Sequence, residues 1–206
     1  PAAHAETMRR AFEVDYATAS VLALHQTTWP TLTKPPRSVS SAQWRAVVSG
    51  NHQAMFDYMA TTLSQPTIDF DSVHIGAMGL REAYLFVPIP DGVVPDSEVI
   101  EIDRGIEIVP IRHHTQVHLQ NELCYGLTVR AARRALACAP NLEAVVCVGL
   151  RSPTDGKGSF LGTDVVCVLS FERANLERVQ SPAISAEDLA LAAQDDMRHK
   201  VGVDGS

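Results

Sequence analysis

The segment from residue 115 to residue 139 constrains the fold of this chain more than any other part of the sequence. Apolar residues recur there at the three- and four-residue spacing of a helix face: Leu119, Leu123, Leu127, Ala131, Ala135 and Cys138. Pro140 and Asn141 end the pattern. Because one long apolar stripe must be buried against another element, the segment predicts an amphipathic helix that covers one face of a sheet.

Short apolar runs on both sides of this helix predict the strands of that sheet. Strands are expected at residues 70–78, 83–88, 99–102, 106–111, 144–150 and 165–171. Residues 103–105 predict a hairpin turn, and the last two strands are expected to pair antiparallel. Strict alternation of strand and helix is missing, which disfavours a doubly wound nucleotide-binding fold. The sequence therefore predicts an α+β fold with a mostly antiparallel sheet.

Helical patterns also occupy both ends of the chain. Residues 3–28 predict a first helix, in which Met8, Phe12, Tyr16, Ala19 and Ala23 follow the helical spacing. Residues 41–63 predict a second helix with a serine cap and with Trp44, Val47, Val48, Met55 and Met59 on its apolar side. A C-terminal helix is expected at residues 185–197. The proline-rich segment 29–41 divides the chain into residues 1–41, a helix with a linker, and residues 42–206, an α+β domain.

Composition narrows the functions that the chain can have. A length of 206 residues suits one domain, and the net charge of −7 argues against a general phosphate-binding surface. The four cysteines Cys124, Cys138, Cys147 and Cys167 lie in apolar stretches without metal-ligand spacing, as expected of buried structural thiols. No secretory signal and no apolar run of about 18 residues is present, so we expect a cytoplasmic protein without a membrane partner. The sequence begins with Pro1, as expected of a fragment or a trimmed chain.

One candidate metal site lies at the start of the long helix. His114, His118 and Glu122 are spaced four residues apart, so a helix would stack them on one face. Two imidazoles and a carboxylate are a donor set that can hold a catalytic zinc ion. The helix is expected to begin near Thr115, which leaves His114 outside it, and no HExxH pattern accompanies the set. A polar helix face is therefore the favoured interpretation, with a metal site as the alternative.

Arginines farther along the same helix form a candidate DNA-binding surface. Arg130, Arg133 and Arg134 share a helix face, and Arg112 lies just before the helix. Such a group can contact phosphates. The overall charge opposes DNA binding, and no aromatic run is present to stack on bases. We therefore expect these arginines to face solvent, with DNA binding as the alternative.

Other chemical motifs are weak. Residues 155–157 form the only acid-x-Lys sequence, which metal-dependent nucleases use, but it lies in a glycine-rich turn rather than in a strand. A strand follows Gly156, Gly158 and Gly162, whereas a phosphate-binding loop needs a helix N-terminus after it. No G-x-S-x-G elbow is present. The sequence predicts neither a catalytic residue nor a cofactor.

Several short segments together resemble a known family. They are His52-Gln53-Ala54-Met55-Phe56, Phe70-Asp71-Ser72, Tyr84-Leu85-Phe86-Val87-Pro88, Val109-Pro110-Ile111-Arg112, Ala144–Leu150, Pro153-Thr154-Asp155-Gly156 and Phe171-Glu172-Arg173-Ala174. From about residue 53 to residue 203, the pattern resembles an accessory domain of bacterial Mrr-like restriction-endonuclease proteins. The resemblance implies a setting in defence or DNA metabolism. It transfers no active site, because the nuclease motif of that family belongs to a different domain.

The residues and the resemblance lead to one functional prediction. We expect a non-catalytic recognition or adaptor domain of a restriction or phage-defence system, which binds another protein, a second copy as a homodimer, or DNA. Two alternatives stay open. One is a DNA-binding module that uses the arginine-rich helix face, and the other is a metal-dependent hydrolase.

Overall fold

The computed structural model describes residues 2–24, 39–65, 72–152, 162–178 and 185–193. Its elements, in chain order, are α1 (Ala2–Leu22), α2 (Ser41–Val48), α3 (His52–Leu63), β1 (His74–Met78), β2 (Glu82–Ile89), β3 (Ser97–Ile102), β4 (Gly105–Pro110), α4 (His113–Cys138), β5 (Ala144–Arg151), β6 (Asp164–Glu172), α5 (Arg173–Arg178) and α6 (Ala186–Ala193). The predicted α+β class, with helices at both ends, is confirmed.

Four strands form the main sheet, in the order β1-β2-β5-β6. β1 pairs antiparallel with β2, and β6 pairs antiparallel with β5. β2 and β5 pair parallel along their whole length, from Glu82 opposite Ala144 to Ile89 opposite Arg151. This parallel pair is possible because the chain returns along α4 between the two strands, and a long crossover lets a strand re-enter in the same direction. The sheet is therefore mixed, with its two outer pairs antiparallel.

β3 and β4 form a separate two-stranded sheet, which confirms the predicted hairpin. The turn consists of Asp103 and Arg104, and Ile102 pairs with Gly105 across it. Gly105 has a φ of 137°, a conformation that residues with a side chain rarely adopt. The glycine therefore allows the chain to reverse directly into β4.

The core lies between the sheet and α4. Alternate residues of β2, β5 and β6 point towards this helix, and the buried ones include Leu85, Cys147 and Leu169. On its other sides α4 packs against α1, α3 and α6. From Glu122 to Ala139 nearly every residue is buried. The prediction of an amphipathic cover with a water-facing side is therefore wrong for this part of α4, because three helices cover that side.

Two element boundaries differ from the sequence prediction. The single helix expected at residues 41–63 is two helices, because Gly50 has a φ of 81° and Asn51 then starts α3. The Asn51 Oδ1 accepts a hydrogen bond from the Ala54 amide at 3.0 Å, which is an ordinary helix cap. The long helix begins at His113, so His114 lies inside it and not before it. Most of the predicted linker and the acid-x-Lys turn at residues 155–157 lie outside the described residues.

α1 packs against α4 and the β3–β4 hairpin with the face that carries Ala11, Val21 and Leu24. Its more prominent stripe, Met8, Phe12 and Tyr16, is exposed on the opposite side. Phe12 and Tyr16 stack on each other, with ring centroids 6.4 Å apart. The predicted division of the chain at residue 41 is thus bridged by direct contacts between α1 and the α+β domain.

Candidate functional site

The arginines of the candidate DNA-binding surface do not face solvent as a group. Arg130 and Arg133 are each only 8% exposed, and Arg134 is half-buried. Burial lowers the pKa of the Arg133 guanidinium. The expectation of a solvated arginine face is therefore wrong for this helix side, because α1 and α3 pack over it.

Two of these arginines stabilise the ends of neighbouring helices. The Arg130 Nη1 donates to the Leu24 carbonyl, 3.5 Å away and just beyond the C-terminus of α1. The Arg134 Nη2 donates to the carbonyls of Thr62 at 2.9 Å and Gln65 at 2.8 Å, at the C-terminus of α3. The last carbonyls of a helix lack partners within the helix and carry partial negative charge. A guanidinium at that position supplies both the missing donors and the opposite charge.

A third arginine does the same for α4 and was not singled out in the sequence. Arg173 follows β6 directly and donates to the carbonyls of Leu136 at 2.7 Å, Ala139 at 3.0 Å and Leu142 at 2.9 Å. These carbonyls lie at the C-terminal end of α4 and just past it. Arg173 therefore links the last strand of the sheet to the end of the central helix.

Arg112 lies far from the other predicted DNA-binding residues. It is the exposed N-cap residue of α4 and makes no side-chain cap hydrogen bond. At a rise of about 1.5 Å per residue, α4 separates Arg112 from Arg130 by roughly 27 Å. The four arginines therefore do not form one continuous surface.

The structure brings together two of the three predicted metal ligands. His118 and Glu122 lie on adjacent turns of α4, and Glu187 on α6 joins them. One ligand atom from each residue lies within 4.8 Å of the others. His114, which the sequence had placed in this set, is not part of the group. The composition of the set thus changes to one imidazole and two carboxylates.

The Glu122 carboxylate already has a structural role in this cluster. It is only 2% exposed. Its Oε2 accepts a hydrogen bond from the Ala186 amide at 3.0 Å, and its Oε1 accepts one from the Glu187 amide at 3.4 Å. These amides belong to the N-terminus of α6, where the helix dipole favours a negative charge. Glu122 therefore stabilises α6 from another helix, without a cation being needed.

Tyr125 lies one turn beyond this carboxylate and is buried. Burial, with smaller contributions from the charges of Glu187 and Glu122, raises the pKa of Tyr125 to about 12. The phenol therefore stays protonated over the physiological range.

The second face of the main sheet carries the other notable group of side chains. Tyr84, Phe86 and Val168 point away from α4 and are 40–43% exposed. In the strand register Tyr84 lies opposite Val146, while Phe86 lies opposite Val148, which in turn lies opposite Val168. We call this group of five residues the open face. The aromatic rings lie beside smaller residues, and a Cβ added at Gly76 would come within 2.7 Å of the Phe86 ring.

The open face could not be recognised from the sequence as a surface. Alternation in β2 does show that Tyr84 and Phe86 share one side and Leu85 the other. Both sides are apolar, however, so the alternation does not tell which side the long helix covers. Only the packing of α4 decides which side stays open.

Comparison with protein families, curated proteins and solved structures gives no match to this chain. Among the helices of the described residues, none combines the length and the apolar character that a membrane span requires.

Proposed function

We propose that this chain is a non-catalytic recognition or adaptor domain that acts by protein–protein contact, and that a second copy of the chain occupies its open face. The observation that carries the proposal is the exposure of Tyr84, Phe86 and Val168 on the face of the sheet opposite α4, where Val148 lies between Phe86 and Val168.

An apolar sheet face is stabilised when another layer covers it. In the described part of the chain, α4 contacts β2, β5 and β6, and the residues of these strands that alternate with the open face are the buried ones. Contiguous exposed apolar side chains on a folded domain mark interaction surfaces, and aromatic residues are enriched at the centre of such surfaces. Tyr84 and Phe86 match that composition. The open face is therefore better suited to a protein partner than to a small polar ligand.

Charge supports a second copy as the occupant. The chain as a whole carries a net charge of −7, so two copies repel each other over most surfaces. The five residues of the open face carry no charge, while His74 lies beside Phe86 and Ser170 beside Val146 in the strand register. Two open faces can therefore meet through an uncharged centre with polar residues at its rim. Two sheets pack face to face about 10 Å apart, and a two-fold axis uses the same surface on both copies. A homodimer through this face therefore buries the open faces of both copies in a single interface.

The biological setting of the proposal rests on the resemblance to the accessory domain of Mrr-like proteins. We place the domain in a restriction or phage-defence system and in the cytoplasm. In such a system, a dimeric adaptor would hold two copies of its partner protein close together. DNA binding through Arg112, Arg130, Arg133 and Arg134 is the alternative, although two of these side chains are buried.

The proposal is tested by light scattering on variants of two exposed phenylalanines. Phe86→Ser removes an aromatic ring of the open face, whereas Phe12→Ser removes the ring of a 71% exposed phenylalanine on α1. At a chain concentration of about 100 µM, where even micromolar association is nearly complete, we expect the wild type and Phe12→Ser to be dimers and Phe86→Ser to be a monomer.

Three results would overturn this assignment. A monomeric wild type at the same concentration excludes the second copy. A dimer that survives Phe86→Ser but is lost in Phe12→Ser moves the interface to α1. Binding of duplex DNA that weakens steeply with salt and with Arg112→Ala replaces the proposal by the DNA-binding alternative.

A further inference from the structure

Two of the four cysteines meet between the central helix and the last strand. The Sγ atoms of Cys124 on α4 and Cys167 on β6 are 3.0 Å apart. Cys167 is 1% exposed, and Cys124 is partly buried. Both residues are free thiols in the structure. A disulfide has an S–S distance of about 2.05 Å, so a shift of roughly 1 Å is enough to bond them.

The strand next to Cys167 leaves room for its sulfur. Gly149 on β5 pairs with Cys167, and a Cβ added at Gly149 would lie 2.6 Å from the Cys167 Sγ. The sulfur therefore rests against the Gly149 backbone instead of a side chain. A residue with a side chain at position 149 would displace it, so the glycine maintains the position of the thiol.

The two thiols differ in acidity. The hydrogen bond from Cys124 lowers the pKa of Cys167, and a hydrogen bond from the Gly149 backbone acts in the same direction against the effect of burial. The pKa of Cys124 is raised well above its ordinary value by the same hydrogen bond and by burial. Cys167 is thus the more acidic thiol of the pair, and the thiol that loses its proton more readily is the one that attacks an oxidant.

The other two cysteines lack such a partner geometry within the described residues. The Cys147 Sγ donates to the Thr128 carbonyl at 3.5 Å, and burial raises its pKa well above the ordinary value. Burial also raises the pKa of Cys138, to about 11. Both stay protonated and unreactive at neutral pH, as buried structural thiols do. They serve as internal controls for the pair.

We propose that Cys124 and Cys167 are a redox-sensitive pair that forms a reversible disulfide when the protein meets a peroxide. The Cys167 thiolate attacks one peroxide oxygen, the O–O bond breaks, and a sulfenic acid and, after protonation, one water molecule result. The Cys124 sulfur then attacks the sulfenic sulfur, the S–O bond breaks, and the hydroxyl leaves as a second water molecule with the Cys124 proton. The two sulfurs together lose two electrons, and the two peroxide oxygens gain them.

The bond would join elements that the chain connects through residues 139–143, β5 and residues 152–163. β6 is an edge strand of the main sheet, since the strand order ends with it. A Cys124–Cys167 disulfide fastens this edge to the middle of α4. The domain then has two states, one with free thiols and one with the disulfide. The presence of an oxidant decides between them, and the partner at the open face does not.

The test is disulfide mapping of the wild-type protein. The full chain is treated with hydrogen peroxide, blocked with an alkylating reagent, digested without reductant and analysed by mass spectrometry. We expect a peptide pair joined through Cys124 and Cys167, with Cys138 and Cys147 alkylated as thiols, and we expect dithiothreitol to restore all four thiols. Because this experiment uses the unaltered chain, it does not depend on the folding of any variant.

Two variants sharpen the result. In Cys124→Ser, dimedone should trap a sulfenic acid at Cys167, because the second thiol is missing. In Cys147→Ser, the Cys124–Cys167 link should form as in the wild type. The proposal is overturned if Cys167 pairs with Cys147, if all four thiols are alkylated after peroxide treatment, or if peroxide oxidises Cys138 and Cys147 as fast as the pair.

Discussion

The two faces of the main sheet are built from the same strands but serve different purposes. Leu85 and Leu169 point towards α4 and are fully buried, whereas their chain neighbours Phe86 and Val168 are 40% exposed on the open face. Alternation of side chains places equally apolar residues on both sides. On the covered face these residues stabilise the fold. On the open face they are only partly buried in the monomer, and we propose that a second copy covers them.

The largest expected effect comes from truncating neighbours on the two faces. Leu169→Ala leaves a cavity in the core and should lower the free energy of unfolding by about 2–5 kcal/mol. Val168→Ala removes fewer buried atoms and should change it by less than about 0.5 kcal/mol in the monomer. Urea unfolding followed by circular dichroism measures both. Equal losses in the two variants would show that the open face is part of the core.

The next effect concerns the charges that hold the helices over the covered face. Arg173→Ala removes hydrogen bonds to three carbonyls at the end of α4 and should cost about 1.5–3 kcal/mol of unfolding free energy. Arg112→Ala removes an exposed side chain without a cap hydrogen bond and should change it by less than about 0.5 kcal/mol. Unfolding in urea compares the two variants directly. A larger loss in Arg112→Ala would contradict the assigned roles.

Glu122 offers a similar comparison at the start of α6. Glu122→Ala leaves the Ala186 and Glu187 amides without their acceptor and should cost about 1–3 kcal/mol. Glu122→Gln keeps one oxygen acceptor and should cost less. Urea unfolding measures both variants, and the same experiment on the wild type with zinc and with a chelator tests the metal alternative. We expect no difference between them, and a stabilisation by zinc that needs His118, Glu122 and Glu187 would instead support a metal site.

The last expected effect appears only at alkaline pH. Burial raises the pKa of Cys138 from 9.0 to about 11 and that of Tyr125 from 10.0 to about 12. Between these values the unfolded chain has lost protons that the folded chain keeps, so the free energy of unfolding falls as pH rises above about 9. Urea unfolding at a series of pH values follows this decline, and Cys138→Ala should make it shallower. A stability that stays constant up to pH 11 would contradict the burial of both groups.

The sequence predicted the parts of the fold that depend on local periodicity. The stripe from Leu119 to Cys138 gave the central helix, and residues 103–105 gave the hairpin turn. The break between α2 and α3 also had a local signal, since Gly50 is followed by Asn51, a residue that favours helix starts. Gly50 and Asn51 together indicate that one helix ends and another begins at this point.

The functional residues depended on contacts that periodicity does not contain. Arg130 meets a carbonyl 106 residues away in the chain, and Glu122 meets amides 64 and 65 residues away. A charged side chain at helical spacing resembles a solvated face whether or not other helices cover it. The same holds for α1, where the prominent stripe of Met8, Phe12 and Tyr16 is the side that does not pack. Which face of an element is buried is decided by its neighbours.

The most direct test of the open face compares two valines of nearly equal exposure, one on this face and one outside it. Val168 on the open face is 40% exposed, and Val117 on α4 is 39% exposed. Sedimentation equilibrium of Val168→Glu should give the mass of one chain, because the dimer would then bury a charge in an apolar interface. The wild type and Val117→Glu should give twice that mass. The same mass for all three proteins would contradict the account.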